Sequence, residues 1–380
     1  MLAALTNARV LLDRGFADDV AVLADGARIA DIVTSADPCL RAAQVHDLHG
    51  CLLVPGLIDC QVNGGGGVLF NDAPNVETIR RIAAAHRRYG TTGLLPTLIS
   101  DDASVMRAAI AAVREAIRQH VPGVLGIHLE GPFLAPQRRG IHDADKFRIP
   151  TAADIELLAA TDAGKILLTV APEQAPPEIL HALAARGVIL AAGHTAATYA
   201  QTRAALDAGV RGFTHLYNAM SPLQSREPGV VGAALEDRTS WCGIIADGHH
   251  VHPAALRMAL AAKPRGKIFL VTDAMPPVGS DKQRFTLNGD TITCRDGKCT
   301  NADGVLAGSA LDMATAVRNT ISLLGVPADE ALRMASTYPA AFLGLENSHG
   351  RIAPGYAADL VALDADFYVR QTWIGGVRGT

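Results

Sequence analysis

The sequence predicts an α/β protein: a (β/α)8 TIM barrel with a small β-sandwich domain formed from the N- and C-terminal segments. Three observations predict it. Short apolar runs, often β-branched, alternate with Ala-rich helical stretches along the middle of the chain. Those runs are largely continuous in their apolar residues rather than apolar at every second position. Both ends of the chain lack this rhythm. A strand that is apolar on both faces is covered on both faces, as in a parallel sheet wrapped by helices. Eight strand–helix units over roughly 300 residues suit a closed barrel.

The elements follow in order. Residues 3–50 break into short pieces at turn signals such as LLDRG, LADGARI and DLHG, which predicts short antiparallel strands. The apolar runs come next, at 52–58 (LLVPGLI), 92–99 (TGLLPTLI), 123–129 (GVLGIHL), 166–171 (ILLTVA), 187–192 (GVILAA), 210–214 (VRGFT), 242–246 (CGIIA) and 267–272 (KIFLVT). Helical stretches at 76–89, 102–120, 152–161, 177–186, 197–208, 252–263 and 309–324 separate them. The segment 282–307 carries the hairpin-like turns LNGD and RDGK, and reads as an excursion between the eighth strand and the last helix. Residues 350–380 return to short strands. The expected domains are therefore a barrel over 53–349 and a small β domain from 1–52 and 350–380. A doubly wound open sheet is the competing arrangement. The glycines at 64–67 lack the GxGxxG spacing of its nucleotide-binding turn, and no P-loop lysine motif appears.

Composition narrows the function. Of 380 residues, 49% are hydrophobic and 19% charged, which is ample material for a globular core. A formal charge of −4 offers no basic excess for nucleic acid. No apolar run reaches the roughly 20 residues that span a bilayer. The first residues meet Asp13 and Arg14 too early for a secretory leader. The six cysteines, at 39, 51, 60, 242, 294 and 299, form no CxxC pair and read as separate thiols in a reducing compartment. The expectation is a cytoplasmic protein with no membrane partner.

In such a barrel, chemistry sits at the C-terminal ends of the strands. Four groups fall there: Glu130 in HLEGPF, His194 in AAGHTAATY, His215 in FTHLYNAM and Asp273 in VTDAM. Singly, each has a plain structural reading as a turn or capping residue. Together, two imidazoles and a carboxylate with an open position make a plausible catalytic Zn²⁺ site, leaving Asp273 as general base. A second candidate is DGHHVHP, where His250 and His252 make the only His-x-His. Pro253 signals a helix start there, so His252 reads as a cap and His250 as a substrate contact. The charged loop 136–148 offers His142, and LQSREPG offers Arg226. Either is a solvated surface residue in the plain reading. At a barrel mouth, with backbone N–H groups at 218–219, they would suit a phosphate.

The stretches VPGLIDCQVNGGGG, GIHLEGPFL, AAGHTAATY, THLYNAMSPL, ADGHHVHP, VTDAM and GVLAGSALDM, with the closing GRIAPGYAADLVALD, resemble the N-acetylglucosamine-6-phosphate deacetylase family of the amidohydrolase superfamily, in order and over nearly the whole chain. The resemblance implies hydrolysis of the acetamide of a phosphorylated amino sugar, with the galactosamine epimer as the alternative substrate. It implies one divalent metal per subunit on Glu130, His194 and His215, zinc first, with Fe²⁺, Co²⁺ or Mn²⁺ as substitutes. It implies Asp273 as acid/base, His142 near the scissile carbonyl, and Asn218, Ala219, Arg226 and His250 as substrate contacts. A homodimer sharing a phosphate contact across its interface is implied as well. The superfamily's His-x-His is here Gln61-x-Asn63. A carboxamide is a weak ligand for zinc, so the metal position at that pair is expected empty or loosely held, with Gln61 and Asn63 acting behind the ligands.

Overall fold

The computed structural model describes residues 2–159 and 164–379. Eight parallel strands form the central sheet: β1 (Leu57–Val62), β2 (Thr91–Ile99), β3 (Gly126–Glu130), β4 (Lys165–Val170), β5 (Ile189–Ala192), β6 (Val210–Phe213), β7 (Trp241–Ile244) and β8 (Ile268–Leu270). Each pairs with the next in chain order. The ring closes just beyond β8, where Asp273 N–H donates to Gln61 O at 3.0 Å and Asn63 N–H to Ala274 O at 2.9 Å.

A helix follows each strand: α1 (Val76–Arg87), α2 (Ala103–Arg118), α3 (Ala152–Leu158), α4 (Pro177–Ala185), α5 (Tyr199–Asp207), α6 (Gly229–Glu236), α7 (Pro253–Ala262) and α8 (Met313–Leu324). Local chemistry starts and stops them. The Asn75 side chain accepts from Thr78 N–H ahead of α1, and Asp312 does the same for Thr315 ahead of α8. Their apolar stripes face the strands, and the shared core includes Ile79, Ile82, Met106, Val113, Leu180, Leu256 and Val317. The last two positions of the predicted 152–161 helix lie outside the described residues, as do positions 1 and 380 of the terminal segments.

One predicted strand divides. The run 52–58 belongs to two sheets: its first part ends the strand Gln44–Pro55, and β1 begins at Leu57. The apolar run is continuous because both sheets bury it. Gly56 makes the joint, since a Cβ there would lie 1.8 Å from Thr92 Oγ1. Gln44–Pro55 lies inside an eight-stranded sheet drawn from both ends of the chain. It pairs parallel with Leu2–Leu12 and antiparallel with Leu360–Leu363. That sheet has its own core, including Leu5, Val22, Leu53, Leu360 and Trp373.

Between β8 and α8 the chain makes a four-stranded antiparallel sheet: Arg284–Leu287, Asp290–Arg295, Lys298–Thr300 and Leu306–Ser309. Here the cysteine reading is corrected. Cys294 and Cys299 sit directly opposite each other across a hairpin and are joined as a disulfide. Sequence spacing gave no sign of this, because register rather than a CxxC motif brings the two together. Among the described residues, no helix is long and apolar enough to cross a membrane.

Candidate active site and metal centre

The mouth of the barrel holds a cavity of about 470 Å³, lined among others by Asn63, Glu130, His142, His194, His215, Asn218, Ala219, His250 and Asp273. Glu130 ends β3, so its side chain points inward. His194, His215 and Asp273 each stand just past the end of a strand. These last three have positive φ, of 48°, 32° and 53°. Non-glycine residues pay about 1 kcal/mol to sit there, and such strain gathers where a side chain must be aimed.

The aim is at one point. Glu130 Oε1 lies 3.0 Å from His215 Nε2 and 3.3 Å from His194 Nε2, and the two Nε2 atoms are 3.1 Å apart. His194 Nδ1–H donates to the Arg138 carbonyl at 2.9 Å, which leaves its Nε2 as a lone pair facing the cluster. All three ligand atoms lie within 4.8 Å of one another, and all three residues are buried. Two imidazole nitrogens and one carboxylate oxygen crowded this closely, with open cavity on the remaining side, fit a divalent cation with one free position. His215 Nδ1 is buried with no hydrogen-bond partner among the described residues. Burial opposes charge on Glu130, yet its bonds with His194 and His215 hold the carboxyl well below the usual range. Burial likewise opposes charge on His215, but the Glu130 carboxylate raises that ring above its ordinary value.

Opposite stands Asp273. Burial first, and the Glu130 carboxylate second, push it up to about 6. Two carboxamides hold it: Asn63 Nδ2 donates to Oδ1 at 2.6 Å and Gln61 Nε2 at 3.1 Å. Gln61 Nε2 also donates to Glu130 Oε1 at 3.0 Å. An ionised carboxylate only accepts, so the amides must turn their NH₂ groups inward. The carboxamide pair therefore braces the two carboxylates.

The other predicted residues separate. His142, expected on a solvated loop in the plain reading, is buried, because the loop folds over the mouth and Ala135 N–H bonds to His194 O. Asn218, Ala219 and His250 line the cavity, and His250 Nδ1–H donates to Asp247 Oδ2 at 2.6 Å. His252 is the N-cap of α7, accepting from Ala254 N–H. Arg226 is exposed and does not line the cavity. Gln61 lies beneath it, outside the lining.

Sequence reasoning missed three buried residues. Asp59 accepts from Thr272 Oγ1 at 2.5 Å and from Thr272 N–H and Gln61 N–H at 3.2 Å, stitching β1 to the segment after β8. His128, two residues before Glu130 on the same inward face of β3, lies between Thr97 and Thr169 and is pushed down to about 4 by burial. Ser100 lies against His142. The alternation along β3 could have found His128; nothing local marks the other two. A larger hollow, about 700 Å³, lies at the foot of the barrel around Arg257, Arg265, Glu330 and Tyr338, away from the ligand cluster.

Comparison with known proteins places the chain in a family. Residues 52–378 match the amidohydrolase family. The chain is 46% identical over 324 residues to the N-acetylgalactosamine-6-phosphate deacetylase of Shewanella sp. (strain ANA-3), covering 85% of this chain and 82% of that one. It is 32% identical to the N-acetylglucosamine-6-phosphate deacetylase of Haemophilus influenzae, covering 99% of both. The crystal structure of N-acetylglucosamine-6-phosphate deacetylase from Pasteurella multocida superposes with a TM-score of 0.96 at 34% identity, over 100% of both chains.

Proposed function

This chain belongs to the amidohydrolase family, and from that premise we propose that it hydrolyses the acetamide of N-acetyl-D-glucosamine 6-phosphate, releasing acetate and D-glucosamine 6-phosphate in amino-sugar metabolism. The observation that carries the reading is the convergence of Glu130, His194 and His215 on one point of the cavity, with Asp273 across from them.

An amide resists hydrolysis because its carbonyl is resonance-stabilised and its nitrogen leaves poorly. A divalent cation held by Glu130, His194 and His215, with zinc suited to this donor set, supplies Lewis acidity and brings the pKa of water to about 7. Asp273 accepts the proton of the attacking water and returns it to the departing nitrogen, so one carboxyl serves as base and then acid. Burial and the neighbouring Glu130 carboxylate raise its pKa above the ordinary carboxyl value. His142 donates to the acyl oxygen as charge develops there. Asn218, Ala219 and His250, on the cavity wall, hold the sugar phosphate and align the acetamide. Arg226 stands exposed outside its own cavity, which suits a phosphate contact given to the neighbouring subunit of a homodimer. The carboxamides at 61 and 63 favour a single ion, because they turn N–H rather than C=O toward the cavity carboxylates. We place the reaction in the cytoplasm, where phosphorylated sugars are retained by their charge.

A second reading, the N-acetylgalactosamine 6-phosphate epimer, is favoured by the 46% identity to the Shewanella enzyme. One experiment addresses both. Acetate release is measured from each sugar phosphate, after chelation, and after one equivalent of Zn²⁺ is restored. The expected outcome is activity that vanishes with chelator and returns with one ion, and the ratio of rates assigns the epimer. No release from either sugar by protein with metal bound would overturn the reading.

A further inference from the structure

His142 is aimed by a neighbour that the mechanism above does not use. Its Nδ1 faces Ser100, which follows β2. The Ser100 backbone N–H donates to Nδ1 at 3.4 Å, and Ser100 Oγ lies 2.9 Å from the same nitrogen. A backbone N–H can only donate, so the nitrogen that receives it carries a lone pair. A neutral imidazole with its lone pair on Nδ1 carries its hydrogen on Nε2. The far side of the ring agrees: His142 Nε2 faces Glu130 Oε2 at 3.8 Å, and a carboxylate only accepts.

The fold makes room for this contact. Ser100 Oγ also lies 3.3 Å from the Glu130 carbonyl, but its single hydrogen serves one acceptor; with Nδ1 already accepting the backbone N–H, the hydrogen goes to Nδ1, the nearer of the two at 2.9 Å. Gly131, at φ +94°, follows Glu130, and a Cβ there would fall 2.2 Å from Ser100 Oγ.

We propose that Ser100 is a positioning residue that fixes His142 as the Nε2–H tautomer, making it a hydrogen-bond donor to the acyl oxygen and barring it from acting as the base. This rests on the amide-hydrolysis reading, and the test separates the two. In protein labelled with ¹⁵N-histidine, two-bond ¹H–¹⁵N correlations report the tautomer without substrate, and the His142 signals are those missing from His142→Asn. The Nε2–H pattern is expected; an Nδ1–H pattern overturns the proposal whatever the enzyme's activity. In turnover assays, Ser100→Ala is expected to lower kcat about tenfold, less than the roughly 10²–10³ for outright loss of an oxyanion donor, with KM within about twofold and metal content unchanged. Added to His142→Asn, the same change is expected to cost less than about twofold of the residual rate. A full tenfold loss in that background means Ser100 acts through something other than His142, and overturns the proposal. Absence of deacetylation from either sugar overturns the substrate reading alone, since the tautomer is read independently.

Discussion

The two arcs of the barrel mouth are made from the same kind of strand end, yet they present opposite polarity. On one arc, Glu130, His194 and His215 aim acceptor atoms at a common point. On the other, Gln61 and Asn63 aim donors at Asp273 and Glu130. The first arc is arranged to hold a cation, and the second to hold an anion in place beside it. An alternating pair at the end of β1, Gln61 on the strand and Asn63 just past it, that would chelate as imidazoles becomes a brace when it carries amides, because the NH₂ group takes the position a metal would need for a lone pair.

Exchanging one carboxylate on each arc tests the contrast most severely. Glu130→Gln should cost the ion, so metal content after dialysis falls well below one per chain and turnover drops to background. Asp273→Asn should keep the ion and lose about 10³-fold in kcat. Retention of metal by the first variant, or of turnover by the second, would remove the distinction between the arcs. A finer cut is Asn63→Ala, which deletes one donor to Asp273. We expect full metal content with kcat down about tenfold, the lower end of what an outer hydrogen-bond partner contributes. A loss of metal instead would make Asn63 part of the cation arc.

The smallest expected effect on turnover lies at Asp59, at the root of the carboxamide arc. Burial pushes this carboxyl up to about 7, above its unfolded value near 4. The neutral form is therefore favoured by folding. The stability it contributes is complete below pH about 4 and is lost as pH rises through about 7, up to about 4 kcal/mol in all. Asp59→Asn cannot ionise. Its Tm, followed against pH in chelated protein, should fall less between pH 4 and 7 than that of the parent chain. Parallel curves would mean Asp59 is ionised throughout.

Legibility in the sequence followed the same division. The eight strands are visible because nearly all their residues are buried on both faces, Arg211 of β6 being exposed, and only the first is misplaced, where one apolar run serves two sheets. Glu130, His194, His215 and Asp273 are visible because a strand end followed by a polar residue is a local pattern. Asp59, Ser100 and the inward turn of Gln61 are not, since the contacts that give them their roles, to Thr272, His142 and Glu130, are remote in sequence and meet only when the barrel closes. The Cys294–Cys299 bond is likewise a product of register.

The joint at Gly56 has a consequence for how the chain is made. The strand Gln44–Pro55 runs directly into β1, which carries Gln61, but one of its two sheet neighbours is Leu360–Leu363. On the ribosome, the segment leading into the barrel's first stave is synthesised about 300 residues before that neighbour emerges. Until then one edge of Gln44–Pro55 is bare, and bare edges invite foreign strands. A chain cut before residue 360 would keep that edge open for good, available to any strand that could pair with it.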